Sequence, residues 1–390
     1  MSVVSGGNAR SQEIKPFQVM AILAKAQALQ AQGLDVIHLE VGEPDFPTAA
    51  PIVEAGIAAL RQGKTHYTPA LGLPQLRERI AQYYQERFGV NLSSKRIVLT
   101  PGASGALLLL SATRLSPGDG LMLADPGYPC NRHFARLFEA HRQLVPAGIQ
   151  ERYQLTPELV TAHWQTNTKA ALVASPANPT GTVLSLPELA NLAQCVRDKN
   201  GELWVDEIYQ GLNYTSAAQT VLSVADDAVV LNSFSKFFGM TGWRLGWAVV
   251  PEHWVSALDT LAQNVFLAPP TVAQHAALAA FSPESMAIFE QQRQELAKRR
   301  EYLLEALPKL GFKLPIAPDG AFYIYADASE FTQNSLAWCE QVLEQTGVAF
   351  TPGVDFGEYK AHTHVRFAFT TQLDRLQEAV SRLETWLGKA

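Results

Sequence analysis

Residues 233–247 read SFSKFFGMTGWRLGW and lie between two β-rich apolar runs, VVLNSFS from Val229 and WAVVP from Trp247. A loop at the end of a buried strand is where open α/β sheets carry their chemistry. Two serine hydroxyls, Ser233 and Ser235, together with the forked guanidinium of Arg244, make a good phosphate clamp. Lys236 stands beside that clamp. Burial or neighbouring cations lower a lysine pKa, and imine formation with a carbonyl is then its commonest covalent role. On charge alone Lys236 reads as a solvated loop lysine and Arg244 as a surface cation, so the decision rests on the longer pattern around them.

Working outward, short apolar runs that end in turn residues recur: RIVLT at Arg96, LMLADPG from Leu121, AALVASP from Ala170 and LWVDE from Leu203. They have the composition of strands buried on both faces. Helical periodicity over 106–115 and 187–198 alternates with them, which predicts an α/β fold with a mostly parallel sheet flanked by helices. The pattern changes after Pro269 and Pro270. An alanine-rich run to Phe281 leads into the charged segment 289–310, a long helix linking two units. A smaller α+β unit follows, with strands over 322–326 and 365–370 and a terminal amphipathic helix over 373–387.

A chain of 390 residues exceeds what one hydrophobic core usually serves, so two units with a cleft between them are expected. With 47% hydrophobic and 17% charged residues the chain is globular rather than disordered. Its net charge of -6, without any long Lys/Arg block, argues against nucleic acid as a partner. The three cysteines, Cys130, Cys195 and Cys339, are odd in number and lack C-x-x-C spacing, so neither a disulfide framework nor a metal site is expected. The opening stretch MSVVSGGNARSQEIKPF is polar, and no apolar run approaches bilayer length, which points to the cytoplasm.

Further short motifs surround the lysine loop: DEIY from Asp206, SPANPTG from Ser175, TPGASGAL from Thr100, DPGYP from Asp125, HYTPALG from His66, HVRFAF from His364 and VGEPDFP from Val41. Singly each is weak: NPTG makes a turn, and a Gly-rich βα connection needs no ligand. Together with residues 233–247 they resemble the class I/II pyridoxal-phosphate-dependent aminotransferases, the aspartate-aminotransferase-like proteins of fold type I. The resemblance runs from about Gly42 to Arg366. It implies a large cofactor-binding domain over 46–285 and a small domain formed by 1–45 plus 286–390.

The resemblance also implies a role for each residue. Lys236 would hold pyridoxal 5′-phosphate as a Schiff base and act as general base and acid at the substrate Cα. Asp206 would pair with the cofactor's pyridine nitrogen, and Tyr209 and Asn178 would donate to its phenolic oxygen. Ala103, Ser104 and Gly105 at a helix N-terminus would receive the phosphate with Ser233, Ser235 and Arg244. Tyr128 would stack on the ring, and Tyr67 would reach the phosphate of the neighbouring subunit in a homodimer. Arg366 would grip the substrate α-carboxylate, with Gly42 and Asn178 beside it.

The expected reaction is ping-pong transfer of an amino group between an L-amino acid and a 2-oxo acid. A C–S β-lyase or other carbanion chemistry is the alternative on the same fold. An aminotransferase-like effector domain of a transcription regulator would need a DNA-binding domain for which this chain leaves too little length. Without a second arginine in register for a distal carboxylate, a neutral, aromatic or sulfur-containing substrate is as open as aspartate. Cys130 is expected to be a buried, inert thiol, and the aromatic run Phe322, Tyr323 and Tyr325 is left unassigned between the pocket and the core.

Overall fold

A computed structural model describes residues 12–388. The polar opening stretch up to Ser11, and its assignment to the small domain, therefore lie outside the described residues. A short strand, β1 (Ile37–His38), precedes seven strands: β2 (Ile97–Thr100), β3 (Gly120–Asp125), β4 (His141–Pro146), β5 (Thr168–Ala174), β6 (Glu202–Asp206), β7 (Val229–Ser233) and β8 (Gly246–Val249). These seven form one sheet in the order β2-β8-β7-β6-β5-β3-β4. Only β8 runs antiparallel to its neighbours; the other adjacent pairs are parallel.

The sheet is buried on both faces because alternate residues of its strands feed separate cores. Leu172, Trp204 and Leu231 pack with Leu107, Leu110 and Leu258, whereas Val173, Val205 and Val230 pack with Leu189, Leu192 and Val196. Helix Gly102–Arg114 thus covers one face and helix Leu186–Asp198 the other. The second helix starts where its sequence directs: Ser185 and Glu188 form a reciprocal capping box, with Pro187 in the first turn. The six apolar runs picked out from the sequence all appear as strands. The seventh, β4, was not anticipated: HRQLVP is a partly exposed edge strand and has no need of an apolar run.

Beyond the main sheet, β9 (Tyr323–Asp327), β10 (Val348–Ala349), β11 (Thr351–Pro352) and β12 (His364–Ala368) follow. An antiparallel sheet is ordered β11-β12-β9, and β10 pairs in parallel with β1. The long helix spans Pro283–Lys309 and begins earlier than its charge pattern suggests, because the Ser282 hydroxyl caps it by accepting from Ser285 N and Pro283 sits in its first turn. No helix among the described residues is long and apolar enough to cross a membrane.

Helix Gln18–Ala31 has no cap of its own, since Phe17 offers no acceptor side chain. The carboxylate of Asp355, only 2% exposed, substitutes for it, accepting from Gln18 N at 2.9 Å and Val19 N at 3.1 Å. A negative group at a helix N-terminus satisfies orphan donors and complements the helix dipole. Replacing Asp355 with Ala should therefore loosen this helix locally, by about 1–3 kcal/mol. Amide hydrogen exchange over 18–31 should speed up roughly tenfold or more while the main sheet stays protected; unchanged exchange in this helix would refute the anchoring role.

Candidate active site

The carboxyl ends of the neighbouring parallel strands β6 and β7 open onto a cavity of about 260 Å³. Asp206 closes β6 and Ser233 closes β7, and both line it, as do Ser235, Lys236 and Arg244 from the loop after β7. Gly42, Ala103, Ser104, Tyr128, Asn178, Tyr209 and Arg366 complete the set expected from the sequence. Two expected residues do not line it. Gly105 lies one step further into helix Gly102–Arg114, against Pro101, Thr100 and Phe266. Tyr67 stands 82% exposed, outside the cavity.

Lys236 Nζ donates to Gly42 O at 2.6 Å and lies above the rings of Phe322, at 5.7 Å, and Tyr209, at 6.0 Å. Burial, foremost, and the nearby guanidinium groups of Arg366 and Arg244 lower its pKa to about 8, against the opposing pull of Glu43 and Asp206. The amine is thereby brought within reach of its neutral form at physiological pH.

Asp206 is 7% exposed, and its Oδ1 accepts from Ile208 N at 3.1 Å. Burial pushes its pKa up to about 6, although the Ile208 N–H and Lys236 hold it down. Arg366, on β12, is 2% exposed. It donates to Asn178 Oδ1 at 2.9 Å, Glu40 O at 2.6 Å and Thr351 Oγ1 at 3.1 Å. Its Nε has no partner among the described residues. A buried guanidinium held only by neutral acceptors is poised for a carboxylate.

Near the start of helix Gly102–Arg114 no side chain caps the N-terminus. Gly102 adopts φ +70, and a Cβ there would collide with the Arg244 guanidinium, so the glycine lets that cation lie against the helix end. Arg244 reaches Ser235 Oγ at 3.5 Å, and Ser233 Oγ donates to Ser235 Oγ at 2.9 Å. Free amides, hydroxyls and one guanidinium converge as an anion cradle.

Sequence reasoning left Tyr323 unassigned. It lines the cavity, with its hydroxyl 2.9 Å from Tyr209 Oη and its ring 4.1 Å below the Arg366 guanidinium. The alternating aromatics of GAFYIY concealed it, because alternation on a strand does not tell which face meets a cavity. Phe17, Val19, Met20 and Leu23, at the start of helix Gln18–Ala31, were also unforeseen and form an apolar wall. Cys130 is half-buried and outside this cavity, and burial raises its thiol pKa, as suits an inert thiol.

The family model for aminotransferase class I and II matches residues 34–383. The chain belongs to the class I and II aminotransferases. It is 39% identical to a valine–pyruvate aminotransferase of Mycobacterium tuberculosis, over 96% of this chain and 97% of that protein. An aspartate/prephenate aminotransferase of Thermus thermophilus is 36% identical over 99% of this chain and the whole of that protein. Among solved structures, an aminotransferase from Mycobacterium tuberculosis superposes with a TM-score of 0.95 at 38% identity, covering 98% of this chain and 99% of that one. This aminotransferase is therefore a transaminase dependent on pyridoxal 5′-phosphate and acting on amino and 2-oxo acids, and nothing in these likenesses points to the β-lyase.

The residues present fit that cofactor. A buried carboxylate at Asp206, an amine with a lowered pKa at Lys236 and an uncapped helix end with Arg244 offer sites for a ring cation, a carbonyl carbon and a phosphate.

The Asp206 shift has a measurable consequence. Its folded pKa, about 6, lies above the ordinary 3.8, so its ionisation opposes folding: the penalty is absent below 3.8 and complete above about 6. Cofactor-free Asp206→Asn should thus be more stable than the wild type near pH 8, by up to roughly 3 kcal/mol, and the gain should vanish near pH 4. Thermal melts across that range check it; equal stability at pH 8 would contradict it.

Proposed function

We propose that this aminotransferase is a cytoplasmic homodimer that takes a neutral, apolar L-amino acid as donor. The observation that carries the substrate reading is the cavity wall of Phe17, Val19, Met20 and Leu23. Arg244 and Arg366 are the only arginines lining the cavity among the described residues, and both have other work, at the phosphate and the α-carboxylate. A distal carboxylate would meet no third guanidinium. Valine and pyruvate, named for the relative from Mycobacterium tuberculosis, are of suitable chemistry.

When bound, the cofactor supplies an electron-accepting ring beside the substrate Cα. Lys236 would hold it covalently through Nζ and would carry the proton at the substrate Cα. Asp206 would keep positive charge on the ring nitrogen. Asn178 uses Oδ1 to accept from Arg366, which leaves its amide N–H groups for the cofactor's phenolic oxygen, beside the Tyr209 hydroxyl. Tyr128, which lines the cavity, would pack on the ring and exclude water. Ala103, Ser104, Ser233, Ser235 and Arg244 would hold the phosphate. Arg366 binds the α-carboxylate, with Gly42 lining the approach. Alternate use of two substrates at one site makes the kinetics ping-pong.

The chain divides, on this reading, into a larger domain over 46–285 and a smaller one of 1–45 plus 286–390. The main sheet lies wholly within the first span, and the β1–β10 pairing joins the two parts of the second. Exposed Tyr67, with Leu60 and Leu267 also exposed, supports a partner subunit that receives Tyr67 at its phosphate site. The Thr271 hydroxyl donates to His66 O at 2.9 Å and ties the Tyr67 segment beside the stretch after Leu267. Three free cysteines accord with a reducing cytoplasm.

Lys236→Ala should retain cofactor yet lose turnover by roughly 10³-fold or more; steady-state rates near wild type would refute the assignment. Single amino acids added to the cofactor-loaded enzyme should convert the absorbance to that of the aminated cofactor, with about one oxo acid per site. Valine-like donors should respond at lower concentration than aspartate. The reverse order would overturn the apolar reading, and release of ammonia without the aminated cofactor would overturn transamination.

A further inference from the structure

Tyr209 and Tyr323 share one hydrogen bond, Oη to Oη at 2.9 Å, and both are buried, at 5% and 2% exposure. Each hydroxyl has one proton, so only one can donate to the other. If Tyr209 donated to Tyr323, no proton of Tyr209 would be left for the cavity. If Tyr323 donates, the Tyr209 proton turns free and the cavity receives it.

Two features favour the second arrangement. The Arg366 guanidinium lies over the Tyr323 ring, Cζ 4.1 Å from its centroid, and draws electron density from that phenol. This makes its O–H the stronger donor of the pair. Gly42 backs the Tyr323 hydroxyl so closely that a Cβ there would collide with it. The hydroxyl is thus confined beside Tyr209. Burial raises both phenol pKa values, with Arg366 pulling that of Tyr323 back, so both protons stay in place at neutral pH. Tyr128, Arg366 and Lys236, whose Nζ lies 6.0 Å from the Tyr209 ring, are the other charged or titratable groups facing Tyr209.

We propose that Tyr323 is a positioning residue: by donating to Tyr209 Oη it aims the Tyr209 proton into the cavity, at the cofactor's phenolic oxygen. The inference rests on the proposed role of Tyr209. It links the carboxylate-binding arginine to the cofactor-binding tyrosine through a single phenol. A donor to the phenolic oxygen favours the state in which the cofactor-linked Lys236 nitrogen has lost its proton, and so lowers the pH at which that loss occurs.

The test is the pH midpoint of the visible absorbance change of cofactor-loaded enzyme, for wild type, Tyr323→Phe, Tyr209→Phe and the double variant. Tyr323→Phe keeps the ring under Arg366 and removes only the hydroxyl. It should raise the midpoint by roughly half a unit or more, and Tyr209→Phe should raise it further. Because Tyr323 acts through Tyr209, the double variant should match Tyr209→Phe alone rather than the sum. A shift in Tyr209→Phe with none in Tyr323→Phe, or additive shifts, would overturn the proposal and leave the role of Tyr209 standing. No shift in either would overturn both. Should Tyr323→Phe fail to hold cofactor, 3-fluorotyrosine at position 323 preserves the packing and strengthens the donor. Its midpoint should fall, and an unmoved or raised midpoint overturns the proposal.

Discussion

An amine, a carboxylate and a guanidinium line one cavity, the last two buried, and each is held by neutral groups. Lys236 leans on the Gly42 carbonyl, Asp206 on the Ile208 amide, and Arg366 on an amide oxygen, a carbonyl and a hydroxyl. Such groups cost folding free energy, because the water they lose is only partly replaced. The lowered pKa of Lys236 and the raised pKa of Asp206 are two signs of that cost. On the proposed reading a charged cofactor and substrate would supply the missing partners, so binding would relieve what folding has stored.

The large sheet makes this arrangement sustainable. Parallel β6 and β7 end at the same edge, which places Asp206 and Ser233 at one mouth. The reversal of β8 then forces the lysine loop to fold back over that edge. Gly246 starts β8 against the backbone of Gly102 and Ala103, so the loop and the uncapped helix end are locked together. Arg366 arrives on a different sheet, and its partners Glu40 and Thr351 both precede it in the chain, by 326 and 15 residues.

Strands buried on both faces were legible because burial demands near-continuous apolar residues, as in AALVA and VVLN. The edge strand β4 was hidden because solvent replaces one neighbour, and the two-residue strands β1, β10 and β11 are too short to carry a period. Helix Gln18–Ala31 went unseen for another reason. Its anchor, Asp355, lies 337 residues from Gln18, and its own first residues contain no cap.

Local chemistry followed from order along the chain: a lysine between serines and an arginine, a carboxylate at a strand end, glycines and a serine between a strand and a helix. These need only neighbouring residues and backbone geometry, so a linear reading reaches them. Tertiary structure alone decided which distant groups meet. Gly42 and Lys236, 194 residues apart, share a hydrogen bond, and Tyr323 touches Tyr209 from 114 residues away. The apolar wall from helix Gln18–Ala31 and the burial of Arg366 belong to the same class. Burial and proximity are properties of packing, and packing brings together residues whose types carry no record of one another.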